Sequence, residues 1–127
     1  MARTRSILVV EDDGDTRHAL GELLTALFPE FRVLMTESGE AALQLVQRTR
    51  PSVVLLDLHL RGIHGFEFAR QVRSLGPSAV PIVALTGDTS PDTVRRARAE
   101  GFAGYLVKPA DADNLERAIA SALSPVS

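Results

Sequence analysis

Short apolar runs alternate along the chain with stretches in which apolar residues recur every three or four positions. The short runs are rich in Val, Ile and Leu, which is typical of β-strands, and the longer spacing is typical of amphipathic helices. The predicted strands are Ser6–Glu11, Phe31–Thr36, Ser52–Asp57, Val80–Thr86 and Gly104–Lys108.

A helix is predicted after each strand. The helices lie within residues 15–28, 40–49, 65–75, 91–101 and 111–123. Ser90-Pro91-Asp92 has the residue types of an N-cap, a first helical position and an acidic first turn, and Gly101 is a helix stop. Asp111 is expected to cap the last helix.

Five strands that alternate with five helices predict an α/β fold with a parallel sheet covered on both faces. The runs ILVV and VVLL are apolar on both sides, as central parallel strands require. An open, doubly wound sheet is favoured, because 127 residues are too few for an eight-stranded barrel. We expect one domain over residues 1–127, with its core at about 5–123 and short loose ends.

Composition narrows the function classes. A net charge of −2 and a pI near 5.9 disfavour direct nucleic-acid binding. The absence of cysteine excludes disulfides, thiolate metal sites and a cysteine nucleophile. The run Ile7–Val10 is too short for an export signal, and no segment approaches the roughly 20 apolar residues of a membrane span. The sequence therefore predicts a cytoplasmic protein.

Polar side chains stand where four of the predicted strands end. Glu11 and Asp12 close the first strand, Asp57 closes the third, Thr86 closes the fourth and Lys108 closes the fifth. In an open α/β sheet, ligands bind beyond the carboxyl ends of the strands, so these groups are expected to converge.

The chemistry of this set indicates a phosphoryl group. Three crowded acids repel one another unless a cation is present, and all-oxygen ligands favour Mg²⁺ or a similar hard ion. Lys108 and Thr86 can hold phosphoryl oxygens, and Gly87 leaves room for a bulky anion. The Asp57 carboxylate can act as a nucleophile that forms an acyl phosphate.

Four motifs in order resemble the receiver domain of two-component response regulators, over roughly residues 5 to 123. They are VVEDD, VVLLDLHLRGIHG, PIVALTG and GYLVKP. The resemblance implies a flavodoxin-like sheet of strand order 2-1-3-4-5.

The resemblance also implies roles for single residues. Asp57 would be the phosphoacceptor, and Mg²⁺ would be held by Asp12, Asp57 and the backbone carbonyl of His59, with Glu11 acting through water. Thr86 and Lys108 would hold the phosphoryl group. Tyr105 would be the aromatic that turns inward when Thr86 shifts. Pro109 would follow a cis peptide bond.

A receiver of this kind would take its phosphoryl group from a histidine kinase or a histidine phosphotransfer protein. It would then present a changed face, made by the fourth helix, fifth strand and fifth helix, to a downstream protein. It would catalyse its own phosphorylation and dephosphorylation without being a turnover enzyme, and neither nucleic acid nor membrane is an expected direct partner.

Three alternatives remain open at this point. A Mg²⁺-dependent phosphatase with an aspartyl nucleophile would commonly carry an acid where His59 stands. A flavodoxin-like cofactor module would need a phosphate loop in place of the acidic EDDGD. A degenerate receiver would switch without phosphate. The sequence names neither the kinase, the output partner, the oligomeric state nor the phosphoryl lifetime.

Some positions depart from the family pattern. Arg61 stands where a proline is usual, and Ala110 stands where a phenylalanine is common. Glu11 replaces the commoner aspartate, which leaves metal binding intact. Arg61 is expected to loosen its loop or to contact a partner.

Overall fold

The computed structural model describes residues 5–60, 62–76 and 80–123. Its strands are β1 (Ser6–Val10), β2 (Arg32–Thr36), β3 (Val53–Asp57), β4 (Ile82–Thr86) and β5 (Gly104–Val107). Its helices are α1 (Gly14–Leu27), α2 (Gly39–Thr49), α3 (Gly65–Arg73), α4 (Pro91–Ala99) and α5 (Ala112–Leu123). The predicted elements are all present, and their ends differ by one or two residues.

The strands form one parallel sheet in the order β2-β1-β3-β4-β5, which confirms the predicted topology. Neighbouring residues of a strand point to opposite faces, so each central strand contributes to two apolar clusters. Leu8, Val54 and Ala84 pack with α2, α3 and α4 on one face. Ile7, Val53 and Val83 pack with α1 and α5 on the other.

Helix α4 begins and ends as its sequence predicts. The Ser90 hydroxyl accepts a hydrogen bond from the Thr93 N–H at 3.3 Å, and Pro91 occupies the first turn. Gly101 follows the helix with φ of +81°, a conformation that L side chains rarely adopt, and so stops it. At the last helix, Asp111 accepts from the Asn114 N–H at 2.8 Å, which confirms the second predicted cap.

Polar contacts hold α4 against α3. Of the described residues of α4, Ala97 alone is buried. Beyond its end, Glu100 accepts hydrogen bonds from Arg70 and Arg73 of α3, each at 2.7 Å. The Arg96 guanidinium lies 4.2 Å from the centre of the Phe66 ring. The position of α4 therefore depends on a few side chains rather than on a broad apolar face.

The hydrogen bonds from Arg70 and Arg73 hold the pKa of Glu100 below its ordinary value of 4.5. Because the folded pKa lies below the unfolded one, the carboxylate stabilises the fold above about pH 4.5, and this contribution is lost as the pH falls through the folded value. Glu100→Gln is therefore expected to lower the free energy of unfolding at neutral pH and to match the wild type in acid. Denaturant unfolding across that pH range measures the difference.

Glu116→Gln, at an exposed acid of α5, is the matched control and should show no such pH-dependent difference. A deficit of Glu100→Gln that stays constant from neutral pH into acid would contradict the ionic origin of the contact.

Three parts of the sequence predictions lie outside the described residues. They are the two loose ends, at residues 1–4 and 124–127, and Arg61.

Candidate functional site

Three carboxylates meet beyond the carboxyl ends of β1 and β3. These strands are neighbours, with Val10 beside Leu56, so the residues that follow, Glu11 and Asp57, come together. Glu11, Asp12 and Asp57 each offer an oxygen, and these oxygens lie within 4.8 Å of one another. Glu11 is 0% and Asp57 3% exposed. β1 ends at Val10, so Glu11, which was predicted as the last residue of the strand, lies with Asp12 in the connection that follows it.

Lys108, the sole lysine of the chain, neutralises part of this charge. Its Nζ lies 2.6 Å from Oε1 of Glu11 and 3.1 Å from Oδ2 of Asp57. The contact with Asp57 is a hydrogen bond, whereas the contact with Glu11 is an ion pair without hydrogen-bond geometry. Lys108 is held at the end of β5, where its backbone N–H donates to the Thr86 carbonyl at 2.8 Å.

Burial and charge act against each other in this cluster. Burial raises the pKa of Glu11, although contacts with Lys108 and with the Asp13 N–H lower it in part. Burial works to lower the pKa of Lys108, but its contacts with Glu11 and Asp57 outweigh burial and raise it. Lys108 therefore stays an ammonium at neutral pH, close to the two buried acids.

The second oxygen of Asp57 is also held. Oδ1 accepts a hydrogen bond from the backbone N–H of His59 at 2.9 Å. The chain then turns into α3, where Gly65 lies so close to Leu58 that a Cβ would stand 2.7 Å from the Leu58 Cα. The side chain of His59 is exposed, and a role for its carbonyl as a metal ligand stays a prediction.

Thr86 and Tyr105 share one neighbour, Asp88. Thr86 ends β4 and is fully buried, and its Oγ1 accepts a hydrogen bond from the Asp88 N–H at 3.0 Å. Tyr105, on the adjacent β5, donates its hydroxyl to the Asp88 carbonyl at 2.5 Å. Burial raises the pKa of the Tyr105 phenol. A Cβ at Gly87 would meet no atom within 4 Å, so the space there is open, as the sequence predicts.

Two residues at the site were not identified from sequence. The Arg17 guanidinium donates to the Glu11 carbonyl at 2.9 Å, and nothing in the sequence marks it. Asp88 could have been found, because an acid two residues before Ser90 is typical of a turn that its side chain closes. The peptide bond between Lys108 and Pro109 is cis, which confirms that prediction.

The acidic cluster fits a hard divalent cation. Its ligands are all oxygen, and a negative charge of up to three is only partly balanced by Lys108. Within residues 5–60, 62–76 and 80–123, it is the one group of three or more acids and histidines spaced to hold a metal ion.

Comparison with known proteins gives the family. Residues 7–120 match the family model described as the response regulator receiver domain. The chain belongs to this receiver family. Receiver domains serve two-component signalling, and the match extends over nearly the whole sequence, as the four motifs predict.

Two relatives in sequence are longer proteins. The chain is 38% identical to part of the sensor histidine kinase AruS of Pseudomonas aeruginosa, over 89% of this chain and 11% of the kinase. It is 36% identical to the transcriptional regulatory protein AfsQ1 of Streptomyces coelicolor, over 93% of this chain and 51% of that protein. The chain thus spans about half or less of these two relatives.

Solved receiver structures share the fold. The chemotaxis protein CheY4 of Vibrio cholerae has a TM-score of 0.86 at 29% identity, covering 94% of this chain and 99% of that one. A putative response regulator from Chloroflexus aurantiacus has a TM-score of 0.87 at 27% identity, covering 96% and 99%. In the part of the receiver that the structure describes, no helix has the length and apolar character needed to cross a membrane.

Proposed function

We propose that Asp57 is the phosphoacceptor of this receiver and that it takes a phosphoryl group from a phosphohistidine on a histidine kinase or a phosphotransfer protein. The observation that carries the proposal is the buried Asp57 carboxylate, held between the Lys108 ammonium and the His59 N–H beside two further acids. Mg²⁺ is the proposed cofactor, with Asp12, Asp57 and the His59 carbonyl as ligands and Glu11 acting through water.

In the proposed transfer, an Asp57 oxygen forms a bond to phosphorus while the bond from phosphorus to the donor histidine nitrogen breaks. The electron pair of the broken bond leaves with the imidazole, and the product on this chain is an acyl phosphate. Mg²⁺ supplies positive charge that neutralises phosphoryl oxygens in transfers of this kind.

Lys108 and Thr86 would hold the phosphoryl group. Lys108 contacts Asp57 and Glu11, and its ammonium can move to a phosphoryl oxygen once one Asp57 oxygen is phosphorylated. The Thr86 hydroxyl, on the neighbouring strand, would donate to another oxygen. The outcome is one modified aspartate per chain rather than repeated turnover.

The proposed output is a change in the face formed by α4, β5 and α5. Thr86 and Tyr105 both contact Asp88, which precedes α4, so a shift of Thr86 can reach this face through contacts already present. We propose that a downstream protein reads the change. Direct contact with nucleic acid is not part of the proposal, although relatives such as AfsQ1 are transcriptional regulatory proteins. A cytoplasmic location stays a prediction.

Incubation with acetyl phosphate and Mg²⁺, followed by intact mass measurement, tests the proposal. The expected result is a gain of one phosphoryl group per chain, which disappears when the metal is chelated before the donor is added. A chain that stays unmodified at saturating Mg²⁺ and acetyl phosphate, while a known receiver treated alongside is labelled, would contradict the proposal.

A further inference from the structure

Asp88 joins two residues that the proposed switch uses. Its backbone N–H donates to Thr86 Oγ1 at 3.0 Å, and its carbonyl accepts from the Tyr105 hydroxyl at 2.5 Å. Thr86 lies on β4 and Tyr105 on β5, and Asp88 is in the connection that leads from β4 to α4. One peptide segment therefore connects both side chains.

The carboxylate of Asp88 fixes this segment to the start of α4. Oδ1 accepts from the Ser90 N–H at 2.8 Å, which closes a turn, and Oδ2 accepts from the Thr93 hydroxyl at 2.7 Å. These bonds hold the pKa of Asp88 below its ordinary value, with the Thr93 bond first among them. Asp88 is partly buried, and both of its carboxylate oxygens are engaged.

The contact with Thr86 also sets the direction of the Thr86 hydroxyl. A threonine hydroxyl has one proton to donate and can accept through its lone pairs. Because Oγ1 already accepts a hydrogen bond from the Asp88 N–H, the proton of the Thr86 hydroxyl points to another acceptor. Thr86 is fully buried at the end of β4 and directly follows Leu85, which pairs with Asp57 on β3, so a phosphoryl oxygen on Asp57 is a suitable acceptor.

We infer that Asp88 is a positioning residue for phosphoryl transfer and that its carboxylate keeps Thr86, Tyr105 and the start of α4 in one hydrogen-bonded unit. The inference rests on the proposed function, because it gives Asp88 its role through Thr86 and Tyr105. The carboxylate acts through the geometry of the loop and touches neither the phosphoryl group nor the metal.

Three variants test the role. Asp88→Ala removes both side-chain acceptors and frees the loop. Asp88→Asn keeps a carbonyl oxygen that accepts from the Ser90 N–H. It also places an amide NH₂ beside Thr93, and the Thr93 hydroxyl oxygen can accept a hydrogen bond from that amide. Asp92→Ala is the control, since it removes a charge from the first turn of α4, where Asp92 pairs with Arg95 and is 87% exposed.

Tyr105 supplies the first readout. It is the one tyrosine of the chain, and the chain has no tryptophan, so phenolate absorbance in the near ultraviolet reports on this residue alone. Asp88→Ala is expected to lower the pKa of the Tyr105 phenol towards its ordinary value, because the hydroxyl loses both a fixed acceptor and the nearby Asp88 charge that raises this pKa. Asp88→Asn keeps the loop contacts but removes the charge, so its phenol pKa should lie between those of Asp88→Ala and the wild type, and Asp92→Ala should titrate as the wild type does.

The rate of labelling by acetyl phosphate with Mg²⁺ is the second readout. Asp88→Ala is expected to be labelled about fivefold more slowly, the factor that corresponds to one hydrogen bond lost from the transition state. Asp88→Asn should recover most of the rate. The inference is overturned if Asp88→Ala has the same Tyr105 pKa and the same labelling rate as the wild type. It is also overturned if Asp88→Ala and Asp92→Ala are labelled equally slowly.

The two proposals fail differently. If the wild type is not labelled at all, the proposed function fails. In that case, an unchanged Tyr105 pKa in Asp88→Ala would overturn the positioning role as well. If the wild type is labelled and Asp88→Ala matches it in both readouts, only the role of Asp88 fails. Should Asp88→Ala not fold, Thr93→Val removes the Oδ2 contact together with the hydrogen bond from the Ser90 hydroxyl to Thr93, and the same two shifts are expected in smaller size.

Discussion

Asp57→Asn is expected to abolish labelling by acetyl phosphate while it leaves the fold intact. Asparagine has nearly the size of aspartate, and its carbonyl oxygen can still accept the hydrogen bond from the His59 N–H. Its amide is not a nucleophile towards phosphorus, so no acyl phosphate can form. Intact mass after incubation with acetyl phosphate and Mg²⁺ measures the effect, and the free energy of unfolding checks the fold.

Asp13→Asn is the matched control for this experiment. Asp13 caps α1 by accepting from the Thr16 N–H at 2.9 Å, and asparagine is an equally good N-cap. The control lies beside the acidic cluster without being part of it, so it should be labelled as the wild type is. Undiminished labelling of Asp57→Asn would show that another side chain accepts the phosphoryl group.

Lys108→Met is expected to lower the free energy of unfolding by about 3 kcal/mol in metal-free buffer at neutral pH. The loss follows from two carboxylates, 0% and 3% exposed, that no longer have an ammonium beside them. No other lysine exists to replace it. Saturating Mg²⁺ should recover part of the loss, because a cation that binds only the folded chain stabilises it.

The stability lost in Lys108→Met is expected to depend on pH. Burial raises the pKa of Glu11 above 4.5, and loss of Lys108 removes a contact that lowers it. A group with a raised folded pKa contributes its full stability below the unfolded pKa, and this contribution is lost as the pH rises through the folded value. The deficit of Lys108→Met should therefore be largest at neutral pH and smaller in acid.

Denaturant unfolding with and without Mg²⁺ measures both effects. Arg95→Met is the control, since Arg95 is 72% exposed in its pair with Asp92 and such pairs contribute little. A metal-free Lys108→Met protein as stable as the wild type would mean that the buried acids do not depend on the ammonium.

Much of the fold and the site followed from the positions of polar residues in an apolar pattern. Asp57 and Thr86 each end a strand whose residues are all buried, and parallel strands place such ends at one edge of the sheet. The same reasoning brought Glu11 and Lys108 to that edge, where the structure finds them in contact. Strand order came from the resemblance to receivers and not from the pattern itself.

Contacts between distant segments could not be read from sequence. The pattern gave no sign that Glu100 contacts Arg70 and Arg73 of α3, because Glu100 lies beyond the end of another helix, about 30 residues along the chain. Asp88 was overlooked because two of its four bonds involve its backbone, which every residue has. Ala110, a departure from the family pattern, packs against the apolar cluster on the α1 and α5 face.

The central claim is that Asp57 carries the phosphoryl group, and locating the modification tests it most directly. Reduction of the acyl phosphate with borohydride converts the modified aspartate to homoserine, which peptide mass spectrometry can place in the sequence. The expected result is homoserine at position 57, in the stretch SVVLLDLHL, after labelling with acetyl phosphate and Mg²⁺. The claim is contradicted if homoserine appears at position 12 or the reduced form of glutamate appears at position 11. It is also contradicted if the protein is labelled and Asp57 is unchanged.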